Sequence, residues 1–120
     1  MAQNIPPALE AEIQKYDTLR RRHESDSVML QAINTDLLDV KATLEELKKQ
    51  SDDAVTYKAV GQVMFRVEKP ALVGELDDKQ RTLELRKKKV EKSIQELSQE
   101  LTELQSKIQL ELSKRNLRLQ

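Results

Sequence analysis

The chain contains no cysteine and no tryptophan. Without thiols there can be no disulfide framework and no thiolate metal site, and the expected compartment is a reducing one. One Phe and two Tyr are the whole aromatic complement, too little bulk for a globular core in 120 residues. Glycine appears twice and proline three times, so turns are few and uninterrupted elements long. Acidic and basic residues balance at 21 each, so no global field draws the molecule to nucleic acid or anionic lipid. No apolar run approaches the roughly 20 residues that span a bilayer, and Met1 to Pro7 lacks the blocks of a signal peptide. These absences lead to the expectation of a soluble, cytoplasmic protein with no membrane partner.

A catalytic constellation is missing as well. There is no Gly-rich phosphate loop and no nucleophile elbow, and the single His is His23. The expectation is no enzyme, no cofactor and no metal. His23 with Asp26 is poor material for a metal site. The reading preferred for the pair is a polar defect in a helical seam, which would soften the coil and let it flex.

What remains is charge, Leu, Val and Ile, in two periodicities. From Leu9 the positions Tyr16, Leu19, Leu30, Ile33, Leu37, Val40, Leu44 and Leu47 step by threes and fours, with Glu12, His23 and Asp26 as polar members of the same stripe. A second stripe runs through Leu76, Leu83, Val90, Ile94, Leu97, Leu101, Leu104 and Ile108, with Gln80, Lys87 and Glu111 as its polar members. Each is a heptad seam that needs a partner helix. The spacing predicts helices over 8–51 and 70–113, with flexible ends at 1–6 and 114–120. Glu45 with Lys49, Glu75 with Lys79 and Glu84 with Lys88 are predicted i,i+4 ion pairs on the outer faces. The clusters Arg20-Arg21-Arg22 and Arg86-Lys87-Lys88-Lys89 read as solvated faces, with no nucleic-acid partner expected.

Between the stripes the period drops to two. Val55, Tyr57, Ala59, then Gly61, then Val63, Phe65 and Val67 alternate with Thr56, Lys58, Gln62, Arg66 and Glu68, the pattern of two short strands over 55–68. The plainer alternative is a loop with accidental alternation. Folding the helices back at this point predicts one domain over 1–120, mainly α: a long antiparallel two-helix coiled coil with one β-hairpin at the bend. With facing residue numbers summing to about 124, Leu44 meets Leu76 or Gln80, and Tyr16 meets Ile108. The same sum sets Ile5 and Leu9 beside Leu117, Leu119 and Arg115, and with Ile13, Leu110 and Leu112 they form a loosely packed apolar tip. A lone hairpin is marginal in water and its edges are open, so residues 55–68 are expected to pair with other chains into a closed barrel or sandwich.

The segment DDAVTYKAVGQVMFRVEK, Asp52 to Lys69, followed by ELDDKQRTLELRKKKVEK, resembles the β-type subunits of prefoldin. Asp52-Asp53-Ala54, Tyr57-Lys58 and Gly61 carry the resemblance most specifically, and it extends from about Pro6 to Ile108. It implies a hetero-oligomeric hexamer of α-type and further β-type subunits whose hairpins build a β-barrel platform. It implies an ATP-independent chaperone that binds unfolded client proteins at the coil tips and transfers them to a group II chaperonin. Val55, Tyr57, Val60, Val63, Phe65 and Val67 are then the oligomerisation residues. Ile5, Leu9, Ile13, Leu110, Leu112, Leu117 and Leu119 are the client-binding ones. The alternatives read from the residues are a structural coiled-coil adaptor and a helical-hairpin RNA-binding arm.

Overall fold

The computed structural model describes residues 5–115. Four elements follow in order: helix α1 over Pro7–Lys49, strand β1 over Thr56–Val60, strand β2 over Val63–Val67, and helix α2 over Lys69–Lys114. Pro6 and Pro7 open α1 as expected of residues with no N–H to lose there, since the Pro6 carbonyl accepts the first helical bond, from Glu10 N at 3.0 Å. The helix stops two residues short of the predicted end. Gln50 N bonds the carbonyl of Leu47, and the next residues prefer turn chemistry: Ser51 Oγ donates to Asp53 Oδ1 at 2.7 Å and Ala54 N to the Ser51 carbonyl. On the far side of the hairpin Glu68 caps α2, its carbonyl accepting from Leu72 N at 3.1 Å.

Contacts divide the described residues into two units, 30–89 and 5–29 with 90–115. In the first, the α1 seam buries Ile33, Leu37, Val40 and Leu44, and the α2 seam buries Leu83. Lys41 of α1 reaches Glu84 of α2 at 3.9 Å, and Lys69 reaches Asp52, so numbers fall along one helix as they rise along the other. The same unit holds the antiparallel hairpin, in register Thr56↔Val67, Tyr57↔Arg66, Lys58↔Phe65, Ala59↔Met64 and Val60↔Val63. Gly61 and Gln62 make the two-residue turn. Gly61 has φ of 60°, a value that primed hairpin turns demand at this position and that glycine adopts without steric cost.

In the second unit the helices again run antiparallel, with Glu12 facing Lys107, His23 facing Ser98 and Asp26 facing Ser93. Leu19 and Leu97 are buried here, and Leu9, Ile108 and Leu112 form a buried cluster that Ile13, Tyr16 and Leu104 flank. The seam of α2 therefore continues one step past Ile108, to Leu112.

The predicted outer ion pairs are replaced by others. Lys49 bonds Glu46 at 3.1 Å rather than Glu45, Glu75 pairs with Lys58 of β1, and Glu84 lies between Lys41 and Gln80. Two of the three acidic groups thus turn toward a neighbouring element, which helix spacing alone does not reveal.

Leu37 and Leu38 test the seam directly, being adjacent in sequence but 5% and 70% exposed. Leu37→Ala is expected to cost about 2–5 kcal/mol, and Leu38→Ala less than about 0.5 kcal/mol. Urea denaturation followed by circular dichroism measures both; equal losses would place the seam elsewhere.

Candidate functional site

The hairpin carries an unusual density of uncovered apolar surface. Val55, Tyr57, Val60, Val63, Met64 and Phe65 are each more than half exposed. The register divides the strands' share between two faces. Val60, Val63, Phe65 and Val67 share one with Thr56 and Lys58, whereas Tyr57 shares the other with Ala59, Met64 and Arg66. Thr56, Lys58 and Val67 are half-buried, so the first face is partly covered toward its open end, where Lys58 pairs with Glu75 of α2. Nothing comparable covers the second. Val55 lies one residue before β1 and belongs to the loop. Met64 was missed in the sequence because it stands where the alternation calls for a polar residue; its place opposite Ala59 and its exposure of 63% add it to the candidate surface.

Among the described residues the sheet consists of β1 and β2 alone, and each strand has a free outer edge. Unpaired N–H and C=O groups along those edges are templates for further strands. The six sequence-predicted assembly residues are thus brought into one small ribbon and its approach loop.

The other candidate group lies where α1 begins and α2 ends, and here the expected packing needs correcting. Leu9 and Leu112 are 3% and 7% exposed. They are core, closed against Ile108, and do not form a loose apolar surface. The physical reason is register: Glu12 faces Lys107 and His23 faces Ser98, so around them α2 sits about one turn from the predicted alignment, and Leu9 packs against Ile108 and Leu112. Ile13 is half-buried, and Ile5 and Leu110 are exposed at 36% and 55%. Leu117 and Leu119 lie outside the described residues. Beside the cluster a shallow groove of about 180 Å³, mostly apolar, is lined by Ile13, Tyr16, Gln105, Ile108 and Gln109.

Polar residues interrupt this seam three times, in two different ways. Ser93 Oγ donates to Asp26 Oδ2 at 2.6 Å, and His23 Nε2 lies 3.0 Å from Ser98 Oγ. The two positions read as a defect are therefore bridged across the helices by serines whose role the sequence did not suggest. Glu12 is different. Its Oε1 takes a 2.9 Å ion pair from Lys107, but its Oε2 is buried without a partner. The Glu12 hydrogen bond, and then its charge, hold the Lys107 ammonium above the ordinary lysine value of 10.5. A raised lysine contributes stability that is complete below that value and is lost as pH rises through the shifted one, so the pair is intact at neutral pH.

Of the two basic clusters, Arg20 is held by Asp17 and Glu24, and Arg21 by Asp17. Among the described residues no three His, Asp or Glu side chains gather as a metal site, and no helix is long and apolar enough to cross a membrane.

Antiparallel heptad helices joined by an uncovered two-stranded ribbon define a class: a helical-hairpin subunit whose small sheet leaves both edges unpaired among the described residues. Comparison with known proteins narrows the class. The prefoldin subunit profile matches residues 10–115. The prefoldin subunit beta of Thermococcus gammatolerans is 36% identical over 110 residues, covering 92% of this chain and 94% of that protein. Its counterparts in Pyrococcus furiosus and Saccharolobus islandicus are 34% and 32% identical over similar spans. The crystal structure of the prefoldin beta subunit from Thermococcus strain KS-1 superposes with a TM-score of 0.82 at 32% identity, covering 92% of this chain and 97% of that one. The chain belongs to the prefoldin subunit family, in its β-type branch. It is a chaperone-type subunit of a non-enzymatic family and assembles with other prefoldin subunits.

A buried acceptor without a partner costs about 1–3 kcal/mol, whereas an exposed lysine pair offsets little of that. Glu12→Leu is therefore expected to stabilise the seam around it by about that amount, and amide hydrogen exchange over 9–16 and 104–112 should slow accordingly. Unchanged or faster exchange would show that the Glu12 carboxylate is satisfied as it stands.

Proposed function

We propose that the chain is a subunit of an ATP-independent holdase of the cytoplasm. Its hairpin joins those of α-type and further β-type subunits in a β-barrel platform within a hexamer. The helix ends hold non-native polypeptide and pass it to a group II chaperonin. The observation that supports this most is the exposure of Tyr57, Val60, Val63, Met64 and Phe65 on a ribbon with two free edges. A lone hairpin of this kind is marginal in water, and its own helices bury their seams between themselves, so neighbouring strands are the cover it requires.

Client capture follows a different logic. Ile5, Ile13 and Leu110, with the groove beside Tyr16, offer apolar surface at once. Leu9, Ile108 and Leu112 offer theirs only when the two helix ends part. Glu12 favours that parting, because its unpartnered oxygen gains water when the seam opens. In this reading the client-binding surface is partly stored in the closed seam, and exposed apolar segments of an unfolded chain compete for it. Leu117 and Leu119 remain part of the proposed client group.

Two measurements check the proposal. Light-scattering mass of the chain mixed with an α-type subunit should match six chains, and Val63→Asp with Phe65→Asp should return monomers of unchanged helical signal. Retained assembly in that double variant would remove the hairpin from the interface. Replacing Leu9, Ile13, Leu117 and Leu119 with Ser should abolish suppression of client aggregation while leaving the complex assembled, and undiminished suppression would refute the client role of the helix ends.

A further inference from the structure

Lys69 is the one charged residue buried among the described residues, and its principal contact is main chain. Its Nζ donates to the Gln50 carbonyl at 2.5 Å and to Asp52 Oδ1 at 3.4 Å. The Asp52 side chain is 97% exposed, so water screens it and the carbonyl is the contact that decides. Gln50 directly follows the last residue of α1, where unsatisfied carbonyls concentrate negative partial charge. Lys69 itself is the first residue of α2 and stands two residues after β2, a position where the helix dipole disfavours a cation. A lysine so placed would ordinarily extend its head group into water. Here it turns inward and ties the end of α1 to the point at which the hairpin runs into α2.

That bond joins the two helix ends at the base of the hairpin, and the ties that reach the strands themselves are weaker. Lys58 and Glu75 are about half exposed, and exposed pairs of this kind contribute little. Thr56 Oγ1 donates to the Val67 carbonyl, a bond that joins the two strands and reaches neither helix. The chain leaves α1 through the turn at Ser51–Ala54 and enters α2 through Glu68 alone, so the ribbon has two possible hinges and one buried clamp between them.

We propose that Lys69 is the positioning residue that sets the angle of the β-hairpin against the helices, and so the direction in which its free edges meet a second hairpin. The second half rests on the assembly reading given above. The first concerns the single chain.

The test uses the full chain with spin labels at Glu46→Cys and Met64→Cys, which introduce the only thiols. Label distances are measured in the monomeric Val63→Asp, Phe65→Asp background, and assembly is measured without those two changes and without labels. Lys69→Met keeps the apolar stem and removes the ammonium; Lys69→Arg restores a charged donor. We expect a narrow distance distribution with Lys69, a broader one with Lys69→Met and a return toward narrow with Lys69→Arg. Assembly should weaken about tenfold in Lys69→Met, the scale of one lost charge-assisted hydrogen bond, at unchanged helical signal. If Lys69→Met loses that signal, Lys69→Gln, a neutral donor of similar length, takes its place. A distribution as narrow without the ammonium as with it would overturn the clamp. Broadened distances with undiminished assembly would overturn its part in directing the edges. A parent chain that joins no other subunit would defeat the assembly reading instead, and the distances would still decide the clamp.

Discussion

The heptad seam is the constraint on which everything else depends. Each helix carries one apolar stripe, and each stripe is used against the other helix: Ile33, Leu37, Val40 and Leu44 are buried within one unit, and Leu9, Leu19, Leu97, Ile108 and Leu112 within the other. No second stripe is left to lie over the hairpin. A ribbon with two open edges and apolar side chains on both faces is then left without cover from its own helices, and a lone two-stranded sheet is marginal in water. The proposed assembly through the hairpin is, in this sense, a consequence of how the helices satisfy themselves.

Polar residues inside the seam act in opposite directions according to whether their hydrogen bonds are met. Asp26 with Ser93 and His23 with Ser98 are matched pairs, and a matched polar layer specifies alignment, since sliding either helix leaves its groups buried and bare. Glu12 is matched at one oxygen only. Its other oxygen weighs against closure at the place where an opening seam would present Leu9, Ile108 and Leu112. The same chemical device, a polar residue at a core position, can thus hold register in one stretch and loosen it in another.

Local signals in the chain were strong where structure is periodic. The three-and-four spacing from Leu9 to Leu47 and from Leu76 to Ile108 determined the two helices to within two residues at each end. Alternation around Gly61 determined the hairpin and its turn, because only glycine takes φ of 60° there without strain. Asp52-Asp53-Ala54, Tyr57-Lys58 and Gly61 carried the family resemblance. Met64 escaped because alternation is a statement about one face, whereas this ribbon is apolar on both.

What tertiary structure alone decided is alignment and its consequences. Which residue of α2 stands opposite Glu12 depends on the sum of contacts along both helices, and a displacement of one turn leaves the spacing of each stripe unchanged. That displacement carried Leu9 and Leu112 into the core and assigned Ser93 and Ser98 to the polar layers, and elsewhere the meeting of elements gave Glu75 to Lys58 and Glu84 to Lys41. Lys69 is the clearest case: beside Pro70 in sequence it is an ordinary surface lysine, and only the meeting of two helix ends supplies the carbonyl that draws it inside. Periodicity belongs to a single helix and can be read along it; register and burial belong to the pair, and come into being when the helices meet.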